Sequence, residues 1–149
     1  MPTIQRSALV EHSAARMFAL VNDVAAYPRR FEWCEAAEIL ESDETRLVAR
    51  LDLGFGALRT WFTTENTLSP PHHIDMALRD GPFKRLHGRW QFHVLDECAC
   101  KVTLTLDFEP QNRLLGPALT LGFQGLADRM VDDFVRVADR EDACRGEEA

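Results

Sequence analysis

Alternation between apolar and polar residues in the middle of the chain is the feature that most restricts the fold. Every second residue is apolar in residues 47–53, 74–78, 90–94 and 102–108, and residues 58–68 form a further long extended segment. A period of two is typical of a β-strand with one buried face, and short turns between consecutive strands favour antiparallel pairing. The pattern therefore predicts an antiparallel sheet of about six to seven strands with one apolar face.

One long amphipathic helix is expected to cover that apolar face. It is predicted to begin at Pro117 and to end near Asp139, with an apolar stripe at spacings of three and four. The stripe consists of Phe123, Leu126, Ala127, Met130, Val131, Phe134, Val135 and Val137. The opposite, solvated face is predicted to hold Asp128, Arg129, Asp132, Asp133 and Arg136.

The N-terminal part predicts one strand and two short helices. Residues 3–10 read as the strand, and Ser13 is a good N-cap for the first helix. A second helix is expected over residues 24–27, ending at Pro28. This order predicts an α+β fold of the helix-grip class, a curved antiparallel sheet wrapped around the long C-terminal helix.

Length and charge limit the organisation and the partners. The chain has 149 residues and a net charge of −7. We expect one domain over residues 1–140 and an acidic, disordered tail over 141–149. An acidic chain is a poor general binder of nucleic acid, so DNA is not an expected partner. No signal peptide and no run of about 20 apolar residues is found, which predicts a cytoplasmic protein.

Motifs that carry catalysis or bind metals are missing from the sequence. It contains no GxSxG, HExxH or paired CxxC motif and no phosphate-binding glycine loop. We therefore expect neither catalytic residues, nor a metal, nor a cofactor, and no enzymatic activity. A cyclase-like enzyme is an alternative that would need inward-facing polar groups, for which Arg59, Glu65 and Asn66 are the candidates.

Several short motifs together resemble a known family over residues 2–140. They are Val21-Asn22-Asp23, Tyr27-Pro28, Trp33-Cys34, Phe62-Thr63-Thr64-Glu65-Asn66, Gly81-Pro82-Phe83-Lys84, Phe108-Glu109 and Met130-Val131 with Phe134. The set resembles the coenzyme Q-binding START-domain family of the polyketide cyclase/lipid transport (SRPBCC) superfamily. The resemblance implies a START/Bet v 1-like fold that binds ubiquinone or a similar polyprenyl lipid and supports respiratory electron transport. For members of the RatA type it implies a toxin that binds the ribosome and blocks subunit association.

The apolar sheet face and the helix stripe predict a cavity between them for a hydrophobic small molecule or lipid. Its predicted lining is Phe62, Met76, Leu78, Trp90, Leu104, Phe123, Met130 and Phe134. Tyr27 and Trp33 are read either as a hydrophobic plug at the sheet edge or as part of the wall or mouth of the cavity. Residues 114–123 carry no charge, and they are read either as a buried helix start or as a lid that includes Leu119 and Leu121. In the lid reading, Gly116, Gly122 and Gly125 ease local unwinding.

One basic segment is the candidate docking surface. Lys84, Arg85 and Arg89 alternate with apolar residues in a predicted hairpin. The segment is either a solvated hairpin edge or a patch for anionic lipid headgroups or ribosomal RNA. The expected partners are therefore the inner membrane, through a transient contact, and the large ribosomal subunit.

Overall fold

Seven strands and three α-helices make up most of the part of the chain that the computed structural model describes. That part is residues 3–111 and 116–141, with the backbone alone for residues 116–119 and 141. The strands are β1 (Thr3–Val10), β2 (Cys34–Ser42), β3 (Arg46–Phe55), β4 (Leu58–Ser69), β5 (His73–Asp80), β6 (Phe83–Asp96) and β7 (Ala99–Pro110). The helices are α1 (Ala14–Asn22), α2 (Tyr27–Arg30) and α3 (Gly116–Glu141), and a 3₁₀ turn (Val24–Ala26) precedes α2.

All seven strands belong to one antiparallel sheet with the order β1-β7-β6-β5-β4-β3-β2. Strands β2 to β7 follow one another as a meander, and β1 pairs with β7. The sheet curves around α3, whose buried side chains pack on its concave face. The predicted helix-grip fold is therefore confirmed.

The convex face of the sheet carries polar side chains that are paired with one another. Glu65 accepts hydrogen bonds from Arg46 at 2.8 Å and from Arg79 at 2.7 Å. These bonds lower the pKa of the Glu65 carboxyl to about 2. Arg50 lies over the ring of Trp61, 4.2 Å from its centroid. This face is therefore solvated, and its arginines are largely engaged with neighbours.

The short helices follow the prediction in part. The Ser13 side chain accepts a hydrogen bond from the backbone N–H of Arg16 at 3.0 Å, which confirms its capping role. The expectation that the second helix ends at Pro28 is wrong, because Pro28 lies in the first turn of α2. A proline there loses no helical hydrogen bond, since the first backbone N–H groups have no partner in the helix.

The bounds of α3 differ slightly from the prediction. It begins at Gly116 and ends at Glu141, one residue before and two residues after the predicted ends. Residues 142–149, most of the predicted tail, lie outside the described residues, as do residues 112–115. Within the described residues, no helix combines the length and apolar character needed to cross a bilayer.

Two glycines of α3 allow the β3–β4 hairpin to approach the helix closely. A Cβ at Gly125 would lie 2.7 Å from Cε2 of Phe55, and one at Gly122 would lie 3.1 Å from Cβ of Leu58. Such distances are shorter than normal van der Waals contact. These glycines therefore serve close packing of helix on hairpin, a role that the sequence pattern did not indicate.

We predict that Gly125→Ala lowers the stability of the protein. Alanine favours the helix by about 1 kcal/mol, but overpacking against Phe55 costs about 1–3 kcal/mol. The net loss should appear as a lower urea midpoint. In a Phe55→Ala background the same change should become neutral or stabilising. If Gly125→Ala stabilised the protein with Phe55 present, the close contact would not be limiting.

Candidate functional site

A small cavity lies between α3 and the concave face of the sheet, with a volume of about 60 Å³. Six of the eight residues predicted to line it do so. They are Phe62, Met76, Trp90, Leu104, Phe123 and Met130. Leu78 is half-buried at the edge of the core, and Phe134 lies one helical turn beyond Met130, among other aromatic rings.

The size of the cavity limits what it can hold. Typical small-molecule sites enclose about 300–1,000 Å³, against about 60 Å³ here. A cavity of this size holds a few water molecules. A quinone ring or an isoprene chain therefore requires the walls to move apart before it can enter.

In the described lining, three hydroxyl or amide side chains interrupt the apolar surface. They are Tyr27, Thr64 and Asn66. The Thr64 hydroxyl donates a hydrogen bond to Oδ1 of Asn66 at 2.9 Å, and the Tyr27 hydroxyl donates to the backbone carbonyl of Val21. Thr64 and Asn66 lie two apart on β4, so they share the inward face. Sequence reasoning missed Thr64, although this alternation could have indicated it.

Of the three polar candidates considered for an enzyme, Asn66 alone faces the cavity. Glu65 points to the convex face, where it binds Arg46 and Arg79. Arg59 is exposed and lies 3.5 Å from Glu35. The alternation of the β4 side chains is the physical reason, because Asn66 and Glu65 are neighbours and must point to opposite faces.

Tyr27 and Trp33 lie in the core, as parts of an aromatic cluster, rather than at an open mouth. Phe31 stacks on Trp33 with 4.7 Å between ring centroids, and Tyr27 packs edge-on against both rings. Tyr27 reaches the cavity, whereas Trp33 does not line it. The mouth interpretation is therefore wrong for Trp33, because a stacked indole with a buried hydrogen-bond partner gains more in the core than at a rim.

Two buried groups near this cluster stay protonated at neutral pH. Burial raises the pKa of the Tyr27 hydroxyl. Burial likewise raises the pKa of the Cys34 thiol to about 11. Neither group is therefore a nucleophile or a general base under ordinary conditions. Within the described residues, no three His, Cys, Asp or Glu side chains are placed to hold a metal ion.

The predicted lid can be located only in part. Leu121 lies on α3 with 71% of its surface exposed. The side chain of Leu119 and the whole of residues 112–115 lie outside the described part of the chain. Leu121 is thus an exposed apolar residue on a regular helix, and its use as a lid stays a prediction.

The predicted docking patch on β6 is largely neutralised. Arg89 donates two hydrogen bonds to the carboxylate of Asp75, at 2.6 and 3.1 Å. Lys84 and Arg85 both lie near Glu109, at 3.8 and 3.7 Å. The side chains of Lys84 and Arg85 are well exposed, but the carboxylate of Glu109 is the acidic partner of both.

A second basic surface lies between α2 and the C-terminal half of α3, and we call it the arginine cleft. Its volume is about 190 Å³. It is lined by Arg30, Phe31, Glu32, Arg129, Asp133, Arg136, Val137 and Arg140. Sequence reasoning missed this surface as a site. Arg129, Asp133, Arg136 and Arg140 are spaced by four, three and four residues, which places them on one helix face and could have indicated it.

Asp133 organises the arginine cleft from its inner edge. Its side chain is only 8% exposed, which corrects the prediction that it lies on the solvated face of α3. The carboxylate accepts hydrogen bonds from Nε1 of Trp33 at 3.0 Å, from Nε of Arg129 at 3.2 Å and from Arg136. A buried carboxylate needs such partners, because burial without them is costly.

We predict that Asp133→Ala destabilises the protein, whereas Asp132→Ala does not. Loss of the carboxylate leaves the buried Trp33 N–H without an acceptor, which costs about 1–3 kcal/mol. Asp132 is exposed on the same helix, and its replacement should change stability by less than about 0.5 kcal/mol. Urea unfolding followed by tryptophan fluorescence measures both. Equal stability of the two variants would contradict the role given to Asp133.

Comparison with known proteins places this geometry in a family. The model of the family described as polyketide cyclase / dehydrase and lipid transport matches residues 10–135. The ribosome association toxin RatA of Pseudomonas aeruginosa is 45% identical over 135 residues, which cover 91% of this chain and 94% of that protein. The mitochondrial coenzyme Q-binding protein COQ10 of Drosophila melanogaster is 25% identical over 132 residues, covering 86% of this chain and 54% of that one.

Solved structures share the fold. The crystal structure of the Zhui aromatase/cyclase from Streptomyces sp. R1128 superposes with a TM-score of 0.85 at 19% identity, covering 93% of this chain and 94% of that one. At that identity the likeness concerns the fold alone. The family match and the RatA relative together span most of the chain, so this protein belongs to the polyketide cyclase/dehydrase and lipid transport family.

Proposed function

We propose that this protein associates with the ribosome. The observation that carries the proposal is its 45% identity to a ribosome association toxin over 94% of that protein's length. Near-complete coverage means that the elements forming both the core and the surface of this chain have counterparts in the relative. The proposed place of action is the cytoplasm, where ribosomes are.

The geometry favours a function that depends on surface residues rather than on the interior cavity. The interior is closely packed around a cavity of about 60 Å³, too small for a ligand of ordinary size. The net charge of −7 opposes binding to RNA over a broad surface. Association with an RNA-rich particle therefore has to use a local cluster of cations, and it should be weak and electrostatic.

We predict salt-sensitive co-sedimentation with bacterial ribosomal subunits. Each phosphate contact lowers log K by about 0.9 per decade of salt, so two or three contacts predict a 10- to 40-fold loss between about 50 and 200 mM salt. Sucrose-cushion sedimentation of the purified protein with separated subunits measures this, and an unrelated acidic protein of similar size is the control. Absence of the protein from every pellet at low salt would contradict the proposal, and salt-insensitive binding would contradict its electrostatic character.

The same proposal includes no catalysis and no cofactor. Among the described residues, the hydroxyl and amide side chains at the cavity are Tyr27, Thr64 and Asn66, and no carboxylate or imidazole is among them. General acid–base chemistry near neutral pH normally uses such groups. The raised pKa of Tyr27 supports this reading, because the phenol does not ionise where it is buried.

Binding of ubiquinone or a similar polyprenyl lipid is the second candidate function. It is favoured by the apolar lining of the cavity and by the distant likeness to a coenzyme Q-binding protein. One buried isoprene unit contributes up to about 4 kcal/mol before ordering costs, at about 0.8 kcal/mol per CH₂. Entry would require the cavity walls to move apart, and we take the β3–β4 hairpin, where Phe55 packs on Gly125 of α3, as the candidate moving wall. Such a ligand would bring the protein into transient contact with the inner membrane.

We predict that Ala49→Val separates lipid binding from folding. Ala49 is buried and lines the cavity, and filling a void commonly stabilises a protein by about 0.5–2 kcal/mol. The variant should keep or gain thermal stability while losing ubiquinone from its extracts. Ala8→Val, on β1 outside the cavity lining, is the matched control. Lipid extraction and mass spectrometry of the purified proteins measure the ligand. Equal ubiquinone in all three proteins would contradict binding in this cavity.

A further inference from the structure

The arginine cleft is a concentration of positive charge on an acidic protein. Its described lining holds four arginines and the carboxylates of Glu32 and Asp133, in a chain whose net charge is −7. Arg30 is also paired with Asp23, at 3.2 Å. The cleft is built from the α2 region and the C-terminal half of α3, whereas Lys84 and Arg85 lie on β6. The cleft therefore offers anions a local site that the chain as a whole does not.

The arginines of α3 retain hydrogen-bonding capacity for a ligand. A guanidinium group has five N–H donors, and Arg129 donates to Asp133 through Nε while Arg136 donates through Nη2. Both side chains remain about half exposed, at 47% and 58%. Arg140 is exposed and makes no ion pair with any side chain that the structure describes. The cleft therefore presents oriented donors rather than a saturated salt-bridge network.

Asp133 makes this surface preorganised. Its buried carboxylate is fixed by Trp33 and in turn holds Arg129 and Arg136 on the same side of α3. An arginine that is already held in place loses less side-chain entropy when it binds a ligand. Arginine forks suit phosphate oxygens in particular, because two parallel N–H donors match two oxygens.

The dimensions suit several phosphates of one strand. Arg129 and Arg140 are eleven residues apart on α3, which is about 16 Å along a helix that rises 1.5 Å per residue. In double-stranded DNA each strand advances about 3.4 Å along the axis per nucleotide, and the rise of an RNA duplex is of the same order. The stripe is therefore long enough to follow consecutive phosphates, and a single small anion would leave most of it unused.

The surroundings of the cleft favour RNA over a membrane. Amphipathic surfaces that bind a bilayer insert exposed apolar side chains beside their cations. The large apolar side chains exposed in the described part of the chain are Leu9, Ile39, Leu40, Val94, Leu95 and Leu121. None of them lines the cleft, and its own apolar residues, Phe31 and Val137, are buried.

We infer that the arginine cleft binds the phosphate backbone of ribosomal RNA through Arg129, Arg136 and Arg140. This inference rests on the proposed ribosome association and assigns it to a surface other than the one the sequence suggested. On β6, Arg89 is held by Asp75, and Lys84 and Arg85 share Glu109 at 3.8 and 3.7 Å. In the cleft, Asp133 instead holds Arg129 and Arg136 on one face of α3, so the cleft differs from β6 in the order of its arginines rather than in their number.

The test compares Arg136→Gln/Arg140→Gln with Lys84→Gln/Arg85→Gln, two variants that lose the same charge. Sedimentation with separated ribosomal subunits is measured at several salt concentrations. The cleft variant should bind at least about tenfold more weakly near 0.1 M salt, and its slope of log K against log salt should fall by about 2. The β6 variant should bind within about twofold of the unmodified protein. Arg140→Glu, which breaks no described ion pair, should also weaken binding. It is the control for the case in which the double variant binds weakly because it is misfolded.

Other outcomes overturn one proposal or the other. If the unmodified protein sediments with subunits and the cleft variants do so equally well, the cleft assignment is wrong while ribosome association stands. If both double variants weaken equally, bulk charge rather than the cleft is responsible. If the unmodified protein binds no subunit, the proposed function fails. Cleft-dependent binding to vesicles of anionic phospholipid, without binding to subunits, would identify a membrane as the occupant and refute the RNA assignment.

Discussion

Burial of the Phe134 ring is the contact on which the other features of the structure depend. Its centroid lies 4.8 Å from that of Phe31, 5.3 Å from that of Trp90 and 5.5 Å from that of Tyr27. These rings come from α3, from the segment around α2 and from the sheet, so one side chain joins all three layers. Each aromatic pair adds about 0.5–1.5 kcal/mol beyond the area it buries. These contacts of Phe134 therefore fix how α3 is rotated about its own axis, and so which of its residues face the sheet.

That rotation positions both candidate sites. Met130 is one turn before Phe134 and faces the cavity, whereas Asp133 is the preceding residue and turns toward Trp33 and the arginine cleft. Successive helical residues point about 100° apart because there are 3.6 residues per turn. The cavity and the cleft thus lie on two sides of one helix. A change in the position or rotation of α3 on the sheet would alter both.

The two candidate functions make different demands on this arrangement. A lipid needs the walls between the helix and the sheet to move apart, since a cavity of about 60 Å³ is too small for it. Contact with RNA needs the helix to remain packed on the sheet, since Asp133 orders the arginines only while it is buried against Trp33. A single fold can support either activity. The residues at the site, and not the fold, therefore decide which activity a protein has.

The strands, the long helix and most of the cavity lining could be predicted from the sequence, because side-chain periodicity reports which face of an element is buried. Tertiary structure alone decided the rest. Asp133 reads as a solvated residue until Trp33, a hundred positions away, supplies its partner. Gly125 reads as a weak point in a helix until Phe55 packs on it. The arginine cleft joins Arg30 to Arg136 only after folding. Local periodicity contains no information about such distant contacts, which depend on how the elements are brought together.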